Sequence, residues 1–198
     1  MQIEPTQITK FDRTTSELQA FWLFGCIVAG KNSDFAAAVV SKLLSRNKDK
    51  NPFDYFRELG EIGIRNALVA SRSGNYTRIT RFVMESLDLD LTTATQEQLM
   101  AVHGCGPKTA SFFLLHSRPD IEVAVLDVHI LKYLRSKQVL NAPSVTPTSI
   151  KKYCELQKKF LYFAKIDFPH MSIAQIDLLL WMKFSGRLEN DEIEPVLY

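Results

Sequence analysis

Gly104-Cys105-Gly106-Pro107 is the stretch that most limits how this chain can fold. Two glycines one residue apart permit a tight turn and a close backbone approach to another molecule. Pro107 suits the first position of a helix, where its missing N–H would be unpaired anyway. On the near side, Thr95 and Gln98 form a capping box that starts a helix running toward His103. The prediction over 95–117 is helix, Gly-x-Gly hairpin, helix. The first amides of the second helix lie beside the positive end of its dipole, which suits a phosphate.

Helical spacing recurs along the rest of the chain. Thr14 and Glu17 form a capping box, and Leu18, Phe21, Trp22, Gly25 and Ala29 then share one helix face ending near Gly30. Lys31-Asn32-Ser33 is a polar break, after which Asp34 is the expected cap of a helix over 35–45. Pro52 opens a helix to Leu59, and Gly60–Arg65 is a second glycine-punctuated turn. Helical material follows to Arg72, then a break at Ser73-Gly74-Asn75 and a helix over 76–86. Ile121–Leu126 is apolar and reads as a buried, extended approach to a helix capped by Asp127. Asn141–Thr148 is a linker, and Thr146-Pro147 is expected to begin a helix with Ile150, Tyr153, Cys154, Phe160 and Leu161 inward. Lys151, Lys152, Lys158 and Lys159 face away from that stripe and read best as a solvated surface. Ser172 with Gln175 opens the last helix, to about Gly186. The fold class is therefore all-α, with nine or ten helices and little or no sheet.

Composition removes several functional classes. A chain of 198 residues can bury a sizeable core as one domain or two small lobes. Net charge is only +2, so bulk charge does not decide for or against nucleic acid. Arg57, Arg65, Arg72, Arg78 and Arg81 make the middle locally basic, whereas Glu189, Asp191, Glu192 and Glu194 make an acidic tail not expected on DNA. No apolar run approaches the ~20 residues that span a bilayer. The first residues lack a secretory h-region, so the protein is expected not to be secreted. Cys26, Cys105 and Cys154 are few and far apart, unlike a disulfide framework. The remaining histidines show no zinc-type spacing.

Lys108 follows Pro107, and Asp127 follows nineteen residues later. These spacings resemble the helix-hairpin-helix/Gly-Pro-Asp superfamily of DNA glycosylases, which includes endonuclease III and the 8-oxoguanine DNA glycosylases. The family pattern is Leu-Pro-Gly-x-Gly-x-Lys-Thr-Ala, then an apolar run into x-Asp-x-His. This chain reads Val102-His103-Gly104-Cys105-Gly106-Pro107-Lys108-Thr109-Ala110, then Val125-Leu126-Asp127-Val128-His129. The leading Leu-Pro has become Val-His; the glycines, lysine, aspartate and histidine match. The resemblance implies two helical lobes with a cleft between them: 32–136 as a helical barrel holding the hairpin (95–117), and 1–31 plus 141–198 as the second lobe. It also implies a branch without the four-cysteine iron–sulfur cluster, since three scattered cysteines cannot supply it.

An N-glycosylase breaks the bond between a base and deoxyribose C1′, where positive charge develops. The resemblance assigns Lys108 as the nucleophile and Asp127 as the carboxylate that opposes this charge. An amine must be uncharged to attack, and burial in a cleft favours that form. Taken singly, Lys108 could be a solvated helix lysine and Asp127 a plain N-cap. Together behind the hairpin they point to catalysis. Gly104, Gly106, Thr109 and His129 are the expected contacts to DNA phosphate, and the carbonyls of Met100, Val102 and Cys105 would hold a monovalent K+ or Na+; no other cofactor is expected. Phe112 lies four residues after Lys108 on one helix face, and Asp177 and Trp181 are likewise four apart. This resembles the base pocket of archaeal-type 8-oxoguanine glycosylases, although both aromatics could be core and Asp177 could pair with a lysine. Lys31 and Asn32 fall where relatives fill the gap left by a flipped base.

The resemblance thus implies a base-excision repair glycosylase with β-lyase activity on 8-oxoguanine. Its expected partner is double-stranded DNA carrying a damaged base, bound by a monomer with no membrane role. It would act in the cytoplasm of a prokaryote, with the nucleoid, or in a eukaryotic nucleus. The alternatives are a related glycosylase for another damaged or modified base, and a non-catalytic helix-hairpin-helix module that only grips DNA.

Overall fold

A computed structural model describes residues 2–47 and 50–188. Among the described residues it is all-α, with no strand. A 3-10 helix at Pro5–Gln7 precedes α1 (Thr15–Ile27), α2 (Ser33–Leu44), α3 (Pro52–Ser71), α4 (Tyr76–Ser86), α5 (Gln96–Ala101), α6 (Pro107–Ser117), α7 (Val128–Ser136), α8 (Ile150–Asp167) and α9 (Ile173–Phe184). The acidic residues Glu189, Asp191, Glu192 and Glu194 lie outside the described residues. No helix described is long and apolar enough to cross a membrane.

The capping boxes at Thr14–Glu17, Thr95–Gln98 and Ser172–Gln175 are all closed in both directions. Asn32, not Asp34, caps α2: its backbone is extended, and its side chain accepts from the Asp34 and Phe35 amides, whereas Asp34 is already helical. α3 continues through Gly60, whose φ of 60° and ψ of 179° kink it in a region open essentially to glycine alone. α8 begins at Ile150 under a Ser149 cap, because Thr146 instead donates to the Leu126 carbonyl at 2.8 Å. Tyr153 and Phe160 are buried as expected, but Ile150 and Cys154 are exposed.

The buried apolar residues form two clusters. The first gathers Ile8 and helices α1 to α6 as far as Leu114; the second takes Leu115, residues 124–126 and helices α7 to α9. The expected lobes, 32–136 against 1–31 plus 141–198, divide the chain differently, for here α1 is buried with α2 to α6, and α7 with α8 and α9. Aromatic packing accounts for the place of α1: the Trp22 ring lies 4.8 Å from Phe82 and 5.0 Å from Phe113, and its N–H donates to Ser86 at 2.8 Å. α6 supplies residues to both clusters, and Phe112 on it packs against each.

The hairpin is tied down from α4. Gly104 has φ 79°, the left-handed conformation its type permits. Arg78 donates to the Cys26 carbonyl at 3.0 Å and to the Gly104 carbonyl at 3.5 Å, and Glu85 accepts the His103 amide at 2.6 Å.

Residues 121–126 belong to no helix or sheet, so side chains must satisfy much of their backbone. Ala124 N–H donates to Gln157 at 3.0 Å, Leu126 N–H donates to the Tyr153 hydroxyl at 3.2 Å, and that hydroxyl donates to the Ala124 carbonyl at 2.7 Å. The segment delivers Asp127 to its place. Replacing Tyr153 by Phe leaves two buried backbone groups unpaired, and is expected to lower stability by about 1–3 kcal/mol in denaturant titration.

Candidate active site

A cavity of ≈ 680 Å³ opens where residues of the two clusters meet. That volume suits a small-molecule or base-sized occupant. Both Lys108 and Asp127 line it. Lys108 is the second residue of α6, half-buried, at the positive end of the helix. Asp127 caps α7, and its Oδ1 accepts both the His129 amide at 2.8 Å and the Ile130 amide at 2.9 Å. The cap uses one carboxylate oxygen and leaves Oδ2 to other work.

Asp177 on α9 lines the same cavity and is only 6% exposed. Its Oδ2 lies 3.1 Å from His116 Nε2, while its Oδ1 is buried with no hydrogen-bond partner. Burial pushes this carboxyl up, against the His116 hydrogen bond that pulls it down. A buried carboxylate oxygen without a donor is costly and calls for a partner from outside the chain. Phe112 and Trp181 also line the cavity. Phe112 is half-buried against Phe21 at 5.2 Å and Phe24 at 6.0 Å.

Lys31, Asn32, Thr109 and His129 complete the predicted residues found on the wall. Lys31 hydrogen-bonds the Ser73 carbonyl, and burial together with the Arg78 charge pushes its ammonium down. The side-chain oxygen of Asn32 is engaged in capping α2. Gly104, Gly106, Met100, Val102 and Cys105 stay in the hairpin and do not line the cavity. Among the described residues no three His, Cys, Asp or Glu side chains are grouped to hold a metal.

Two residues on or behind this wall escape sequence reasoning. Arg187, just beyond α9, places its guanidinium 4.9 Å over the Trp181 ring and donates to Asp34 at 2.5 Å and to Ser33 at 3.3 Å. Nothing in its neighbourhood in the sequence marks it. His116 sits eight residues after Lys108 on an apolar helix face, and that placement was the available signal.

A glycine hairpin with a lysine on its second helix and a capping aspartate, both lining one cavity, are the layout of the helix-hairpin-helix glycosylases. Within that class the chain belongs to the 8-oxoguanine DNA glycosylase family, whose model matches residues 26–167. Similar solved structures include the 8-oxoguanine DNA glycosylase of Methanocaldococcus jannaschii, with TM-score 0.68 and 17% identity over 91% of this chain and 84% of that one. The M. jannaschii glycosylase/lyase in complex with a 15mer DNA containing 8-oxoguanine gives TM-score 0.64 and 17% identity over 88% and 84%. The Thermotoga maritima 8-oxoguanine DNA glycosylase gives 0.65 and 18% over 92% and 87%. No curated protein matches the chain.

The raised Asp177 carboxyl makes a stability prediction. The folded chain holds this proton more tightly than the unfolded chain, so the stability it contributes is complete below the unfolded carboxylate value. That stability is lost as pH rises through the folded one. Asp177→Asn removes the loss. We expect it to raise the melting temperature at neutral pH by about 2–4 °C, with the gain vanishing in acid, as scanning calorimetry across pH would record.

Proposed function

We propose that the protein excises 8-oxoguanine from double-stranded DNA and then nicks the strand, with Lys108 as nucleophile. The flipped nucleoside enters the cavity with its base between Phe112 and Trp181. A purine N–H donates to the unpartnered Asp177 oxygen. Lys108 Nζ, uncharged, attacks C1′; the C1′–N9 bond breaks, and its electron pair leaves with the base, which takes up a proton. Asp127 opposes the positive charge that develops on the sugar. Opening of the ring converts the adduct into a Schiff base. A proton then leaves C2′, and the C3′–O3′ bond breaks with the phosphate as leaving group.

The hairpin amides of Gly104 and Gly106, with Thr109 and His129, hold backbone phosphate at the start of α6. The carbonyls of Met100, Val102 and Cys105 are the holders of a K+ or Na+ ion. Val102 O accepts the Cys105 amide at 3.0 Å and keeps a second lone pair for the ion. Lys31 and Asn32, at the cavity rim, enter the space vacated by the base. The protein acts as a monomer on nuclear or nucleoid DNA.

One observation carries this reading: Lys108, Asp127 and Asp177, whose Oδ1 is buried without a partner, line one cavity. The test is incubation with duplexes that each carry a single defined lesion, followed by borohydride. A covalent adduct is expected on 8-oxoguanine and is absent in Lys108→Gln. An adduct that survives in Lys108→Gln refutes the lysine, and binding without excision on every lesion leaves a non-catalytic module. Asp127→Asn separates the cap from the chemistry. Asparagine caps as well as aspartate, so stability should change by less than about 0.5 kcal/mol. Excision should fall by about 10²–10³-fold in single-turnover assays, because the opposing charge is gone.

A further inference from the structure

His116 is fully buried, yet both of its ring nitrogens are engaged. Nδ1 lies 2.8 Å from the Thr9 hydroxyl, and Nε2 lies 3.1 Å from Asp177 Oδ2. A buried imidazole with two polar partners on different parts of the chain is costly to build into a core. Leucine would fill such a place on an apolar helix face without needing either partner. The surroundings fix the ring further. Its own carbonyl accepts from Arg13 at 2.7 Å and from the Lys10 amide at 3.1 Å, and its edge meets Phe112 at 5.2 Å and 60°.

Thr9, Lys10 and Arg13 all belong to the segment before α1, so this segment, the end of α6 and the middle of α9 are fastened at one ring. We propose that His116 is a positioning residue for base recognition: held by Thr9, it clamps Asp177 through Oδ2 and so leaves Oδ1 as the acceptor that selects a base edge carrying an N–H. This rests on the glycosylase reading given above and assigns that reading a residue outside the cavity wall.

The clamp works in either protonation state of the ring. With the ring neutral, Nε2–H donates to Asp177 and Nδ1 accepts from the Thr9 hydroxyl; with the ring charged, both nitrogens donate and the hydroxyl turns to accept. Nε2 is a donor to Asp177 in both. Without that donor, the carboxylate has two unpartnered oxygens and freedom about χ2. It then turns away from the base or takes a proton and loses its acceptor character. Lys108 shares α6 with His116 but stands about two turns before it, and neither Lys108 nor Asp127 makes a hydrogen bond to His116, so sugar chemistry is not routed through the ring.

Three variants and two substrates test the proposal. The substrates are a duplex with 8-oxoguanine and the same duplex with a preformed abasic site, which needs no base recognition. His116→Phe should lower kcat/KM for 8-oxoguanine excision by about 10–100-fold, the loss expected for a charge-assisted hydrogen bond. The larger part should fall on KM, and borohydride trapping on the abasic duplex should fall by less than about threefold. His116→Gln, which returns an N–H donor toward Asp177, should recover most of the excision. Thr9→Val keeps the ring and removes its anchor, so it should give an intermediate loss with the same selectivity for the base-bearing substrate. It decides the matter if His116→Phe does not fold. Equal losses on both substrates in Thr9→Val and His116→Gln, accompanied by a lower melting temperature, would overturn the proposal in favour of a purely structural histidine. So would full excision by His116→Phe. If the unaltered protein traps on abasic DNA but excises no base, the glycosylase reading itself fails first, and that result is distinct from either.

Discussion

The architecture depends on one helix being claimed by two cores. α6 gives Ala110, Phe113 and Leu114 to the first cluster and Leu115 to the second, so it can move relative to neither. Its N-terminus has no such burial and emerges at the seam, where Lys108 meets the cavity. A side chain that serves a site must be placed to a fraction of an ångström. A helix packed on both sides supplies that rigidity more readily than a loop. The hairpin before it is fixed from the side by Arg78 and Glu85, so the turn is also held by neighbours that do no chemistry.

Opposite α6, an extended segment stands where a sheet would normally be required. Its amides and carbonyls are paired one at a time by Tyr153, Gln157 and Thr146. That is an unusual use of α8, whose buried face does backbone pairing in addition to apolar packing. The result is that Asp127 arrives at the cavity and starts α7 at the same point. One residue serves the fold with one oxygen and keeps the other for the site.

Much of this was legible in the sequence because it is local. Capping boxes at Thr14, Thr95 and Ser172, the breaks at Pro52 and at Ser73-Gly74-Asn75, and the whole hairpin unit are fixed by residues within a few positions of one another. Their spacing suggested Lys108 and Asp127 as a pair, and both line the cavity. The errors came where a distant partner decides. Thr146 reads as a helix start until its hydroxyl is seen bonded to Leu126, and Asp34 reads as a cap until Asn32 takes the position one turn edge earlier. The burial of α1 with α2 to α6 rests on Trp22 packing against Phe82 and Phe113, far along the chain, which periodicity cannot express. Arg187 was invisible for the same reason, and His116 showed only its place on an apolar helix face, since their partners lie 153 and 107 positions away.

The inward face of α8 has a practical side. Made by Tyr153, Leu156, Phe160 and Ala164, it leaves Cys154 outward, whereas Cys26 and Cys105 are enclosed and their thiols are pushed up to about 12 by burial. A maleimide dye applied to the native chain should therefore find a single reactive sulfur, on a helix that is braced against the segment before α7 but absent from the cavity wall. Such a fluorophore could follow the binding of a duplex without altering any residue that lines the cavity.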